Sequence, residues 1–303
     1  MGEKVAETYP QQEMRCPVHL SIGQEAVPTA VCAHLTKEEY CVSTHRAHAH
    51  YLAKGGDMKA MVAEFYGRAT GCCQGKGGSM HLIDRSVGML GAVPIVGSTV
   101  PIGVGAALGA VLKDDPKVVV VFLGDGAIEE GVVHESFNFA VLKKLPVLFV
   151  CENNFFSVYS PLEVRQPKGR KIYEFAKAYG LKSLNGNGND VEEVYHLTGE
   201  VIEGVRRGEG PAFLEFETYR WREHCGPYYD NDLGYRSIEE FEEWKSRCPV
   251  YSYEQKLLQA GIVTPDQVNK LKTEITEEIE EAFQFAKNSP YPAKELLLQD
   301  VYK

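Results

Sequence analysis

Two stretches of the chain are apolar without interruption and too short to be helices: VVVVFL at 118–123 and VLFVC at 147–151. A third, AFLEF at 212–216, is broken only by Glu215. Short runs with no polar face predict strands of a parallel sheet covered on both sides. Between them the apolar spacing changes to that of helices. Met58, Met61, Val62, Phe65 and Tyr66 mark a helix within 57–70, and Pro101 opens one through Val111, packed closely through Gly103, Gly105 and Gly109. Residues 129–144, 170–180 and 190–207 also read as helices. Strands alternating with helices predict a doubly wound α/β fold. Further on, Ser237 with Glu240 and Thr264-Pro265 with Gln267 are capping-box patterns, which predict helices at 238–246 and 265–287. The expected organisation is a single domain over 1–303, with a core at about 17–225 and a helical extension at about 236–303.

Composition narrows the function classes. The net charge is −10, from 32 basic and 42 acidic residues, which argues against nonspecific nucleic-acid binding. Glu277-Glu278 and Glu280-Glu281 read as a solvated helix face. Eight cysteines are scattered without a CxxC pair, so neither a zinc ribbon nor a thioredoxin-type site is expected. The polar start, MGEKVAETYPQQEMR, lacks the apolar core of a signal peptide, and a cytoplasmic protein with reduced thiols is expected. Residues 88–112 carry no charge, yet their six glycines and two prolines read as buried loop and helix, not as a membrane span.

The first strand ends at Gly124-Asp125-Gly126 and the second at Asn153-Asn154. Ligands of open parallel sheets sit beyond these carboxyl ends. If the strands are neighbours, Asp125 and Asn154 can share one hard cation, and magnesium prefers such oxygen donors together with phosphates. Gly126 would then open a helix whose N-terminus favours phosphate. The plainer alternative is that Asp125 only caps a helix. A zinc reading of His45, His48 and His50 in HRAHAH, as in a metallohydrolase, lacks a carboxylate or cysteine partner at zinc-site spacing. Cys72-Cys73 is given no role.

Gly-Asp-Gly, 26 residues and Asn-Asn together resemble the thiamine diphosphate signature. The wider run GDGAIEEGVVHESFNFAVLKKLPVLFVCENN resembles the alpha chain of the decarboxylating component of 2-oxo acid dehydrogenase complexes, the pyruvate, branched-chain and acetoin dehydrogenase family. PVHLSIGQEA (17–26), STHRAHAHYLAKGGD (43–57), GKGGSMH (75–81), PIVGSTVPIGVGAA (94–107) and ETYRW (217–221) extend the resemblance, in order, over roughly residues 17 to 290.

The resemblance implies a thiamine diphosphate-binding fold of the diphosphate-binding type. It implies a thiamine diphosphate- and Mg2+-dependent oxidoreductase that decarboxylates a small 2-oxo acid and passes the acyl group to an acceptor. Asp125, Asn154 and the Phe156 carbonyl would ligate magnesium. Gly124, Gly126, Ala127, Arg46, His45 and Arg220 would surround the diphosphate. Relatives often carry tyrosine at the position of His45. The backbone near Pro94 and Val96 would hold the aminopyrimidine ring. Gly77, Gly78, Ser79 and His81 would lie near the cofactor. His19 and His224 would be the active-site histidines, suited to proton transfer near neutral pH. The glutamate that activates the pyrimidine would come from a beta subunit, in an alpha2-beta2 assembly inactive without it, and a lipoyl-bearing acyltransferase would take the product.

The chain also departs from that pattern. Only 18 residues precede His19, where relatives carry a long helix, so packing there is expected to differ. Arg222-Glu223-His224-Cys225 stands where relatives have His-Gly-His-Ser, which removes a phosphorylatable serine. Arg222 is expected to meet an anionic substrate or to pair with Glu223 or Glu217. Two other outcomes stay open: a carboligase that transfers the acyl group to a carbonyl acceptor, and a non-catalytic relative.

Overall fold

The computed structural model describes residues 1–299, so the last four positions of the expected helical extension lie outside it. Six strands form one parallel sheet: β1 (Tyr40–Ser43), β2 (Met89–Ala92), β3 (Val119–Gly124), β4 (Val147–Asn153), β7 (Lys182–Asn187) and β8 (Ala212–Glu217), in the order β2-β1-β3-β4-β8-β7. A two-stranded hairpin, β5 (Phe156–Ser157) with β6 (Ser160–Pro161), follows β4. The order reverses between β1 and β3, the place where α/β sheets open a ligand crevice.

Alternate residues of the apolar runs serve opposite faces. Val120, Phe122, Leu148, Val150, Leu214 and Phe216 meet one layer: α2 (Ala26–Cys32), α4 (Met58–Phe65), α9 (Val191–Arg206) and α12 (Pro265–Asn288). Val119, Val121, Leu123, Val147, Phe149 and Phe213 meet α5 (Thr99–Leu112), α6 (Gly131–Leu142) and α8 (Ile172–Ala178). Two buried faces explain why neither β3 nor β4 shows a polar alternation.

Helix α5 corrects one expectation. A Cβ on Gly103 would sit 2.4 Å from Val121 Cγ2, so the helix does press on the sheet there. Gly105 and Gly109 meet nothing within 4 Å and face outward, beside exposed Ile102 and Leu112. The charge-free segment therefore comprises β2, a loop and a helix with one covered and one uncovered apolar face. No helix among the described residues is long and apolar enough to cross a membrane.

The tail follows its capping signals. Thr264 and Gln267 form the reciprocal capping box that starts α12, whose Ile279, Ala282, Phe283 and Ala286 pack into the core. Ser237 caps α10 (Ile238–Ser246) by accepting from the Glu240 N–H. The intervening α11 (Pro249–Gln259) had no expectation, although Pro249 sits in its first turn.

Candidate active site

The β3 and β4 registers align Gly124 with Glu152, so the two strand ends stop together. Beyond them lies a solvent-connected cleft of about 170 Å³. Asp125 and Asn154 both line it, as do Gly124, Gly126, Ala127, Phe156, His19, His45, Arg46, His224, Pro94 and Val96. Of the residues expected at the cofactor, Arg220 does not line it.

The two asparagines have separate duties. Asn153 is buried; its Nδ2 donates to Glu215 Oε1 (2.8 Å), and its Oδ1 accepts from the Phe155 N–H. Asn154 turns to the cleft; its Oδ1 accepts from the Phe156 N–H (3.2 Å), and its Nδ2 donates to Gln24 Oε1 (3.4 Å). The loop between β4 and β6 bends through left-handed Phe155 (φ 67°) and Val158 (φ 55°), a costly conformation for such residues that surrounding structure must hold.

Asp125 is 2% exposed, and burial pushes its carboxyl above the ordinary range, against the pull of Arg165. Arg165, at the end of the short helix α7 (Leu162–Arg165), pairs with both Asp125 and Glu129. Nothing in the sequence pattern singles out Arg165: its partner lies 40 positions away. The segment Asp125–Glu129 is a 3-10 turn, and α6 begins only at Gly131. Gly126 therefore does not open the α-helix, contrary to expectation. Its small size still matters, because a Cβ there would lie 2.8 Å from Ser157 Oγ.

Across the cleft, Arg46 is buried and donates to the carbonyls of Leu20 (2.6 Å) and His224 (3.3 Å). Burial and the neighbouring Arg220 press its pKa down to about 9, still above neutrality. His19, His45 and His224 converge here, with ring centroids 4.7, 5.0 and 5.2 Å apart. Burial, followed by the charge of Arg46, lowers them to about 2, 3 and 4 respectively. All three are neutral at pH 7. The other histidines of HRAHAH diverge: His48 Nε2 bonds Ser79 Oγ (2.7 Å), and His50 bonds Ser43 Oγ (2.9 Å) and lies 3.0 Å from Glu152.

Arg220 sits behind the cleft wall. It pairs with Asp230 (3.2 Å), donates to the carbonyls of Val158 and Arg222, and bonds the Tyr235 hydroxyl (2.6 Å). Arg236 shares the same Asp230 carboxylate. Arg222 meets neither Glu223 nor Glu217; it pairs with Glu3 of α1 (Gly2–Thr8) and lies over the Tyr229 ring. The glycine-rich loop reaches the cleft through Met80, not through the expected Gly77, Gly78, Ser79 or His81. Glu64 of α4 holds that loop: its buried carboxylate accepts the N–H groups of Cys73, Gly75, Gly77 and Gly78. A glutamate inside an otherwise apolar helical stripe was the available signal for it.

This geometry agrees with comparisons to known proteins. A sequence model described as "Dehydrogenase E1 component" matches residues 1–295. The alpha subunit of acetoin:2,6-dichlorophenolindophenol oxidoreductase from Bacillus subtilis (strain 168) is 38% identical over 301 residues, covering 99% of this chain and 89% of that protein. The pyruvate dehydrogenase E1 component subunit alpha of Rickettsia bellii (strain RML369-C) is 38% identical over 300 residues, covering 99% and 91%. The chloroplastic pyruvate dehydrogenase E1 component subunit alpha-3 of Arabidopsis thaliana is 36% identical over 303 residues, covering 98% and 70%. With a family match across nearly its whole length and the two strand-end motifs meeting in one cleft, the chain belongs to the dehydrogenase E1 component family.

Proposed function

We propose that this chain is the alpha subunit of a thiamine diphosphate- and Mg2+-dependent enzyme that decarboxylates a 2-oxo acid and transfers the acyl group. The observation that carries this reading is the meeting of Asp125 and Asn154, 29 positions apart, in a cleft that also holds Arg46 and three neutral histidines. The donors fit the metal: a carboxylate and an amide oxygen suit a hard dication, and Arg165 already marks Asp125 as a place for positive charge. The Phe156 carbonyl is the third candidate ligand. Arg46, with His45 and the backbone of Gly124, Gly126 and Ala127, is assigned to the diphosphate. Arg220 acts from behind by fixing the Val158 carbonyl at the cleft edge.

When bound, thiamine diphosphate supplies the carbanion chemistry of decarboxylation. His19 and His224 line the cleft and are assigned to proton transfer at the substrate oxygen. The rim at Pro94, Ile95 and Val96 is the apolar end of the cleft, and Ile95 and Val96 are exposed. The helix that follows this rim, α5, leaves Ile102, Gly105, Val111 and Leu112 exposed, and α6 leaves Leu142 exposed. Exposed apolar side chains on the helix that follows a cofactor-cleft rim are what a partner subunit covers. We assign them to the beta subunit, in an alpha2-beta2 assembly, with a lipoyl-bearing acyltransferase as acceptor. A cytoplasmic location belongs to the same reading, because the cysteines are free thiols.

The Bacillus subtilis relative is named for acetoin, a hydroxyketone, so cleavage of a hydroxyketone is the second reading. Co-expression with the beta-type partner tests both. Carbon dioxide release from one of a panel of 2-oxo acids, with an artificial electron acceptor, supports the first. Acetoin-dependent reduction of the acceptor without carbon dioxide supports the second, and silence on both rejects the enzyme assignment. Asp125→Ala is expected to abolish Mg2+-dependent cofactor binding by the assembled pair, measured by calorimetry. Unchanged binding would remove Asp125 from the site.

A further inference from the structure

We propose that His19, His45 and His224 form a second metal site in the same cleft, one that takes a borderline transition-metal dication such as Zn2+ through three imidazole nitrogens. One ring nitrogen from each lies within 4.8 Å of the other two. Modest ring rotations bring such nitrogens to the spacing of about 3.4 Å that three Zn–N bonds of about 2.1 Å require. His19 is 6% exposed, and its Nδ1 is buried with no hydrogen-bond partner among the described residues. An unpaired buried imidazole nitrogen is a costly feature, and coordination would satisfy it.

The three ligands come from the loop before α2, the loop after β1 and the loop after β8, so no local spacing announces the site. The sequence pattern had pointed instead to HRAHAH, of which only His45 takes part. Three histidines leave the fourth tetrahedral position open, as in catalytic zinc centres, and that position faces the cleft because all three rings line it.

Donor chemistry separates this site from the one at Asp125. Imidazole favours Zn2+, Co2+, Ni2+ and Cu2+, whereas carboxylate and amide oxygens favour Mg2+. Among the described residues the other candidate cluster is Glu64, Cys72 and Cys73. There the carboxylate oxygens are already engaged by four backbone N–H groups. The guanidinium of Arg46 near the three rings weakens cation binding, so a loosely held, exchangeable ion is expected rather than a permanent one. Occupation would take His19 and His224 out of use and inhibit turnover; that consequence rests on the proposed function, whereas binding does not.

The test uses Co2+ as an optical probe on the full-length chain, with neither Mg2+ nor cofactor added. A saturable visible spectrum of tetrahedral Co2+ with one ion bound per chain, displaced by Zn2+ but not by excess Mg2+, is expected. His45→Gln and His224→Gln should each weaken binding by at least about 100-fold, more than outer-shell substitutions typically do, while their thermal melts confirm that both remain folded. Undiminished binding in either folded variant would overturn the assignment. So would a thiolate charge-transfer band that disappears in the Cys72→Ser, Cys73→Ser double variant, which would place the ion at the thiols. Inhibition of the assembled enzyme by Zn2+ is then read separately. Binding without inhibition would count against the proposed roles of His19 and His224, not against the metal site.

Discussion

Replacing Arg165 by glutamine separates the ion pair that Asp125 makes from the metal ligation proposed for it. The Asp125 carboxylate is 2% exposed and is balanced by the Arg165 guanidinium, whose side chain is 10% exposed. Removing one partner of so buried a pair costs about 3–5 kcal/mol, because a charge is left uncompensated. The second contact, to one-third-exposed Glu129, adds less than about 1 kcal/mol. Arg165→Gln should therefore lower the melting temperature by about 6–10 °C, at roughly 2 °C per kcal/mol for a chain of this size. If Mg2+ takes over the charge balance, the same energy returns on binding. At 1.4 kcal/mol per decade, 3 kcal/mol corresponds to about 100-fold tighter apparent Mg2+ affinity. Calorimetric titration with Mg2+ in the presence of thiamine diphosphate measures the affinity, and melts at rising Mg2+ measure whether the stability gap closes. A variant that is destabilised but binds Mg2+ no more tightly would refute the competition between guanidinium and metal.

Three further outcomes follow from the same structure. Glu64→Gln turns a carboxylate that accepts four N–H groups into an amide whose NH2 faces two donors; losing two charge-assisted bonds should cost roughly 3–6 kcal/mol, read by urea melts, and a loss under about 1 kcal/mol would mean the loop is held otherwise. Burial alone would raise the Asp230 carboxyl, but Tyr235, Arg236 and Arg220 outweigh it and hold it below its ordinary value; Asp230→Asn strands two buried guanidinium groups and should cost about 3–5 kcal/mol, whereas a neutral substitution would show those arginines to be satisfied by carbonyls alone. Acid should destabilise the chain early. His19, His45 and His224 have folded pKa values below their unfolded 6.5, so the unfolded state binds more protons below that pH. Stability is complete above pH 6.5 and falls as the pH drops toward 4, by up to roughly 1.4 kcal/mol per unit for each histidine. Urea midpoints that stay flat between pH 6.5 and 5 would contradict the buried, neutral cluster.

The apolar runs that became β3 and β4 were legible because a strand buried on both faces must be apolar throughout, a property of consecutive residues. For the same reason the ends of those strands, and with them Asp125 and Asn154, are legible in the sequence. The capping box at Thr264 set the start of α12 because its two hydrogen bonds span only four positions. Strands β1, β2 and β7 left no comparable trace: the first two have four residues each, and β7, KSLNGN, is a polar edge. Folding alone decided that Gly105 and Gly109 face outward, that Arg220 stands behind the wall, that Arg165 closes on Asp125 and that three histidines from distant segments share one corner. Local pattern reports which residues leave water. Which of them then meet depends on how strands are ordered and how loops return across the sheet, and contacts 40 to 200 positions apart have no periodicity by which a linear reading could find them.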